Sequence, residues 1–152
     1  MRFDESISIA APPSAVFAML ADIQETAAGP GSPVAAMDKI PAGPTTVGTR
    51  WREVVRLGLG GQMTMWSEAT AVEPDRLLAL RFRGGSMHGE ITYTIAPENG
   101  GAILRHQEWM HAVGWLRPFD RLLGRMLAPR VHRRLAAIRD QLETGAHAPT
   151  AQ

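Results

Sequence analysis

Apolar residues fall into two rhythms along this chain. Between residues 115 and 143, WLRPFDRLLGRMLAPRVHRRLAAIRDQLE, they recur every three or four positions: Leu116, Phe119, Leu123, Met126 and Leu127, then Val131, Leu135, Ile138 and Leu142. This spacing predicts helix on both sides of Pro129. At about 100° per residue the two apolar stripes are offset by roughly a third of a turn. Proline inside a helix removes a backbone hydrogen bond and bends the rod. The half before Pro129, from Phe119 to Leu127, is therefore expected to line a chamber, and the half after it, from Val131 to Leu142, to close a dry core.

Upstream the rhythm is two. Residues 2–10 put Phe3, Ile7 and Ile9 on one side, as a half-buried strand does. Pro12 and Pro13 end it, and Val16, Phe17, Met19 and Leu20 predict a short amphipathic helix finishing near Asp22. A second short helix is expected within 22–33, ahead of the loop-forming Gly29-Pro30-Gly31-Ser32-Pro33, and 34–40 is a further strand candidate. Five more strands are expected at 48–57, 62–72, 77–83, 87–95 and 102–111, separated by turns rich in Gly, Pro, Asp and Asn. Connections this short make neighbours antiparallel. The class is α+β: an antiparallel sheet curling around a long C-terminal helix, in one domain at 1–144, with a small polar tail at 145–152.

Composition narrows the function classes. At 152 residues with 45% apolar content, the chain is expected to be one soluble domain with a real core. Its net charge of +1 offers no basic excess for nucleic acid. The absence of cysteine excludes disulfides, thiolate metal sites and cysteine nucleophiles. The opening MRFDESISIAAPP is not a signal peptide, and no apolar run approaches the length of a membrane helix, so a cytoplasmic protein without stable membrane insertion is expected.

Three stretches then carry a likeness: IAAPPSAVFAMLAD at 9–22, Val47-Gly48-Thr49-Arg50-Trp51, and EATAVEPDRL at 68–77, followed by the terminal helix. In this order the chain resembles the START-like or SRPBCC superfamily, which includes polyketide cyclase/dehydrase-like proteins, lipid-transfer domains and pollen-allergen-like carriers. The resemblance implies a helix-grip fold, with a cavity between sheet and helix for a small apolar or aromatic molecule. It implies no reaction, because fold does not fix function.

Strand parity selects the side chains facing such a cavity. In 87–95, Met87, Ile91, Tyr93 and Ile95 share one face. In the last strand His106 and Glu108 share parity with Leu104 and Met110, and in 48–57 Glu53 goes with Trp51, Val55 and Leu57, opposite an arginine face of Arg50, Arg52 and Arg56. Met63, Met65, Ala69 and Ala71 form another inward line that leaves Trp66 outside, and Leu78, Leu80 and Phe82 complete the lining. The candidate ligand contacts are Trp51, Met63, Met65, Phe82, Met87, Tyr93, Met110, Phe119, Leu123 and Met126; simple core packing fits each of them as well.

The polar set His106, Glu108 and Glu53 is the candidate catalytic group. A Glu beside a His can hold a base near neutral pH, and Tyr93 can donate to an oxygen gaining charge. A structural pair that satisfies itself at the strand end is the alternative. His132, Arg133 and Arg134, with Arg130 and Arg139 nearby, are expected to be a solvated face complementing the helix dipole. No metal site and no cofactor are expected, since histidines and carboxylates lack a compact ligand spacing. Three functions stay open: a carrier, sensor or accessory protein for a small apolar molecule; a metal-free cyclase or dehydratase; and a co-chaperone-like interaction domain. A monomer or a homodimer fits each.

Overall fold

The computed structural model describes residues 1–22, 34–56 and 60–145. Seven strands alternate with turns at the expected places: β1 Arg2–Ile9, β2 Val34–Ile40, β3 Arg50–Arg56, β4 Gln62–Glu73, β5 Leu77–Gly84, β6 Met87–Glu98 and β7 Gly101–Ala112. Helix α1, Pro13–Ala21, follows β1, and a 3-10 helix, Gly114–Phe119, leads into the long α2, Asp120–Gly145. The expected second short helix and the tail after Gly145 lie outside the described residues, as does Leu57. No helix among the described residues is long and apolar enough to cross a membrane.

All strands pair antiparallel in one sheet of order β1-β7-β6-β5-β4-β3-β2. The first strand therefore closes beside the last, and α1 starts with Pro13 at its first turn, where a missing N–H costs nothing. Val16 and Leu20, one turn apart, bury that helix against the sheet. α2 lies over β1, where His132 Nδ1 approaches Glu5 Oε2 at 3.4 Å. At its start the Asp120 carboxylate accepts the Ala112 N–H at 3.2 Å, and at its end Glu143 Oε1 accepts the Ala10 N–H at 3.0 Å.

Register aligns the inward residues into rows across the sheet. One row runs Val72, Leu78, Tyr93, His106; the next Ala69, Leu80, Ile91, Glu108, Phe3; the next Trp51, Ser67, Phe82, Gly89, Met110; and the last Glu53, Met65, Gly84, Met87, Ala112. The parity read from the sequence holds in each described strand except at the end of β4, where a bulge between Ala69 and Ala71 turns Val72 inward and the expected Ala71 outward; Trp66 is outward and exposed. Opposite, Arg50 and Arg52 pair with Glu68 and Asp38 in solvent.

Two of the inward positions are glycines, and both are places where another group approaches closely. A Cβ on Gly89 would stand 2.2 Å from the Trp109 carbonyl oxygen and 2.8 Å from Phe82 Cζ; one on Gly84 would stand 2.8 Å from the Met65 Cα. Bare backbone here lets Phe82 and Met65 fold down over the sheet.

The structure corrects the expected division of the long helix. α2 continues through Pro129. Val131, Leu135 and Ile138 are buried as expected, but Phe119 is 48% and Met126 68% exposed, alongside Leu122 and Trp115. Measured from Leu123 at about 100° per residue, Phe119 stands roughly 40° and Met126 roughly 60° to the side away from Val131 and Leu135, so both lie on the outer flank. Leu123 and Leu127, an i,i+4 pair, mark the inward side, and Met126 lies off it.

Gly89→Ala is expected to destabilise the protein by about 1–3 kcal/mol, because the obstructing Trp109 oxygen belongs to the backbone and cannot swing aside. Urea unfolding monitored by circular dichroism measures this; an unchanged midpoint would show that the β6–β7 pair relaxes freely.

Candidate functional site: a polar-lined cavity under the C-terminal helix

Between the concave face of the sheet and α2 lies a cavity of ≈ 70 Å³. A single water needs only ~10–15 Å³ by this measure. Its floor is supplied by the middle rows of the sheet: Phe3, Glu108, Ile91 and Leu80 from one, Met110, Phe82 and Ser67 from the next, and Met65 and Glu53 from the last. His106 enters from the adjoining row. Leu127, Arg130, Val131 and Arg134 form the roof.

Of the residues singled out from sequence, Glu53, Met65, Phe82, His106, Glu108 and Met110 are brought together here. Trp51 and Tyr93 are buried behind the lining, and Met63, Met87 and Leu123 are half-buried away from it. Phe119 and Met126 face outward and cannot touch this cavity. Leu80, Ile91 and Leu127 line it as the strand and helix faces implied, while Phe3, Ser67 and Val131, the last expected in the dry core, line it without having been singled out. Parity alone would have found Ser67, which lies between inward Met65 and Ala69 on the same strand.

The principal correction concerns the arginines of α2. Arg134, expected on a solvated face, is only partly exposed and lines the cavity, and Arg130, exposed as expected, lines it as well. On a helical wheel of about 100° per residue they fall beside Leu123 and Leu127, on the flank of the buried Val131, Leu135 and Ile138. Hydropathy could not show this, because an arginine on the flank of an apolar stripe reads as polar surface. The Arg134 guanidinium carbon stands 5.9 Å from the centre of the Tyr93 ring, within cation–π range. Neither guanidinium makes an ion pair among the described residues.

His106 is 1% exposed, and its Nε2 lies 3.2 Å from Oε2 of Glu108, itself 11% exposed at the side chain. A carboxylate can only accept, so towards it Nε2 is the donor and Nδ1 points away from the pair. That Nδ1 has no partner and is enclosed, as are the Tyr93 hydroxyl and the Trp51 indole N–H. The Tyr93 ring meets His106 edge-on at 5.0 Å and holds its plane. The dyad thus offers the cavity a carboxylate positioned by a histidine, not a free imidazole nitrogen.

Burial raises the pKa of Glu53 above the ordinary glutamate value, against the opposing pull of Arg134 and Arg130. Burial likewise raises Tyr93, keeping its hydroxyl neutral. The cavity therefore combines Glu53 with its raised pKa, the His106–Glu108 contact and two guanidinium groups without an ion-pair partner among the described residues, in mainly apolar walls.

The comparisons agree with this architecture. The sequence model of the polyketide cyclase / dehydrase and lipid transport family matches residues 1–143. The chain belongs to that family. No curated protein matches it significantly in sequence. Among solved structures, a conserved protein from Geobacillus kaustophilus is similar with a TM-score of 0.76 at 15% identity, over 95% of this chain and 96% of that one. The allergen Ara h 8.0201 gives 0.74 at 15%, over 95% and 98%, and the Zhui aromatase/cyclase from Streptomyces sp. R1128 gives 0.74 at 17%, over 100% and 99%. At such identities these three establish the shared helix-grip fold alone.

The raised pKa of Glu53 has a definite sign for stability. The folded state holds that proton more tightly than the unfolded chain does, so the contribution is full below the ordinary value of 4.5 and is lost as pH rises through the folded value. Glu53→Gln should accordingly melt with wild type near pH 4 and above it at pH 7. Thermal unfolding at both pH values checks this, and a gap that narrows with rising pH contradicts it.

Proposed function

We propose that this protein binds a small apolar or aromatic molecule between its sheet and α2, as a carrier, sensor or accessory protein. The observation that carries the reading is the cavity itself, whose walls are mainly apolar and whose polar groups converge from β3, β4, β7 and α2. Such a combination suits a ligand buried by its hydrocarbon surface and oriented by a few directed contacts. At ≈ 70 Å³ the space is well below the ~300–1,000 Å³ of pockets that enclose drug-sized ligands. Occupancy then requires unbranched side chains such as Met65, Met110 and Arg130 to shift, which methionine and arginine do at small cost.

The neutral dye N-phenyl-1-naphthylamine tests the reading. Its emission should shift to the blue on binding, and Leu127→Trp, which fills the cavity from the helix side, should weaken binding at least tenfold without lowering the melting temperature. No binding, or equal binding by the variant, would refute it.

The His106–Glu108 contact favours a second reading, a metal-free dehydratase or cyclase. In a dehydration, Glu108 takes the proton from an acidic C–H while the neutral Glu53 carboxyl gives its proton to the departing hydroxyl. The C–O bond breaks, a carbon–carbon double bond forms, and water leaves. With a β-hydroxy ketone that wild type converts, Glu108→Gln and Glu53→Gln should each reduce kcat by ~10²–10⁴-fold. Native mass spectrometry showing such a compound bound and recovered unchanged would instead leave only the binding function.

A further inference from the structure

We propose that the ligand of this cavity is an apolar molecule ending in a carboxylate, received by Arg134 in the interior and Arg130 one turn away. The proposal rests on the binding function above and specifies its ligand class.

Guanidinium groups in apolar surroundings are ordinarily neutralised by a carboxylate within contact distance, because a desolvated cation without a partner is costly. Here Arg134 is only partly exposed, stacks over Tyr93 and has no ion-pair partner among the described residues; Arg130, nearer solvent, has none either. Both line the same cavity as Glu53 and Glu108, yet neither carboxyl closes onto them. Glu108 is instead engaged by His106.

The charged and titratable groups around the cavity are Arg130 and Arg134 from α2, His106 and Glu108 from β7, Glu53 from β3 and, behind the lining, Tyr93 from β6. Glu108 is turned to His106 and Glu53 lies within ion-pair distance of neither arginine, so the two guanidinium groups are the donors that face the cavity without an ion-pair partner among the described residues. These carboxyls oppose a monoanion less than they would a phosphate dianion. The planar fork of arginine matches the two oxygens of a carboxylate.

The leucines on the same side of α2 support the assignment. Leu127 precedes Arg130 and Arg134 along the inward side, so a molecule lying along the helix would meet a hydrocarbon wall and then a cationic one. Arg133, on the same helix but directed to solvent, hydrogen-bonds the Pro129 carbonyl at 3.3 Å and serves as an internal control.

Isothermal titration with 2-naphthoate and its neutral counterpart 2-naphthalenemethanol distinguishes the charge from the hydrocarbon. The acid is expected to bind at least tenfold more tightly than the alcohol at pH 7, with the preference abolished in Arg134→Gln, reduced in Arg134→Lys and retained in Arg133→Gln. Equal affinities in wild type would overturn the carboxylate while leaving the cavity function intact; failure of both probes would remove both. Acid binding that survives Leu127→Trp would place the anion on the surface and overturn the proposal. Should Arg134→Gln fail to fold, the wild-type comparison and Arg130→Gln, expected to lose part of the preference, still decide it.

Discussion

An antiparallel sheet that buries only its concave face must send every second side chain of each strand toward one helix. Everything distinctive here follows from that constraint. Residues of the wrong chemistry cannot escape it, because moving His106 or Glu53 outward would slip the register by one residue and expose the entire apolar face of its strand. The polar groups of the cavity are thus held in place by their neighbours: His106 by Leu104 and Met110, Glu53 by Trp51 and Val55, Ser67 by Met65 and Ala69.

The concave face is also shaped by the glycines at its inward positions. At Gly84 and Gly89 the missing side chains are replaced by Met65 and Phe82 lying over the backbone. The space left beneath α2 is therefore bounded by movable side chains across its centre and by firmly buried ones, Leu78, Tyr93 and Leu104, beside it.

Electrostatics in the cavity are set by burial more than by direct contact. Glu53 shifts because water is withdrawn, Tyr93 for the same reason, and the arginines remain separate from both carboxyls. The one close polar contact, His106 to Glu108, fixes the ring through Nε2 and leaves Nδ1 enclosed. This makes Glu108 the group that the dyad presents, although the sequence pointed equally to either residue.

The sequence by itself determined the class of fold, the strands, and which face of each strand turns inward, save beyond the β4 bulge, where Val72 replaces the expected Ala71. These are local matters: a period of two, a turn every dozen residues and a period near 3.6 at the end follow from backbone geometry. The family likeness at 9–22, 47–51 and 68–77 rested on the same signals, and the polar trio Glu53, His106 and Glu108 was legible because parity carries polar residues along with apolar ones. Only the tertiary structure decided which side of α2 meets the sheet. Phe119 and Met126 lie on the outer flank and face solvent, and Arg130 and Arg134 line the cavity beside the buried Val131. Hydrophobic periodicity reads a helix face only where that face is apolar; a roof that changes from leucine to arginine becomes visible when the wall opposite it, with Glu53, Glu108 and Tyr93, is in place.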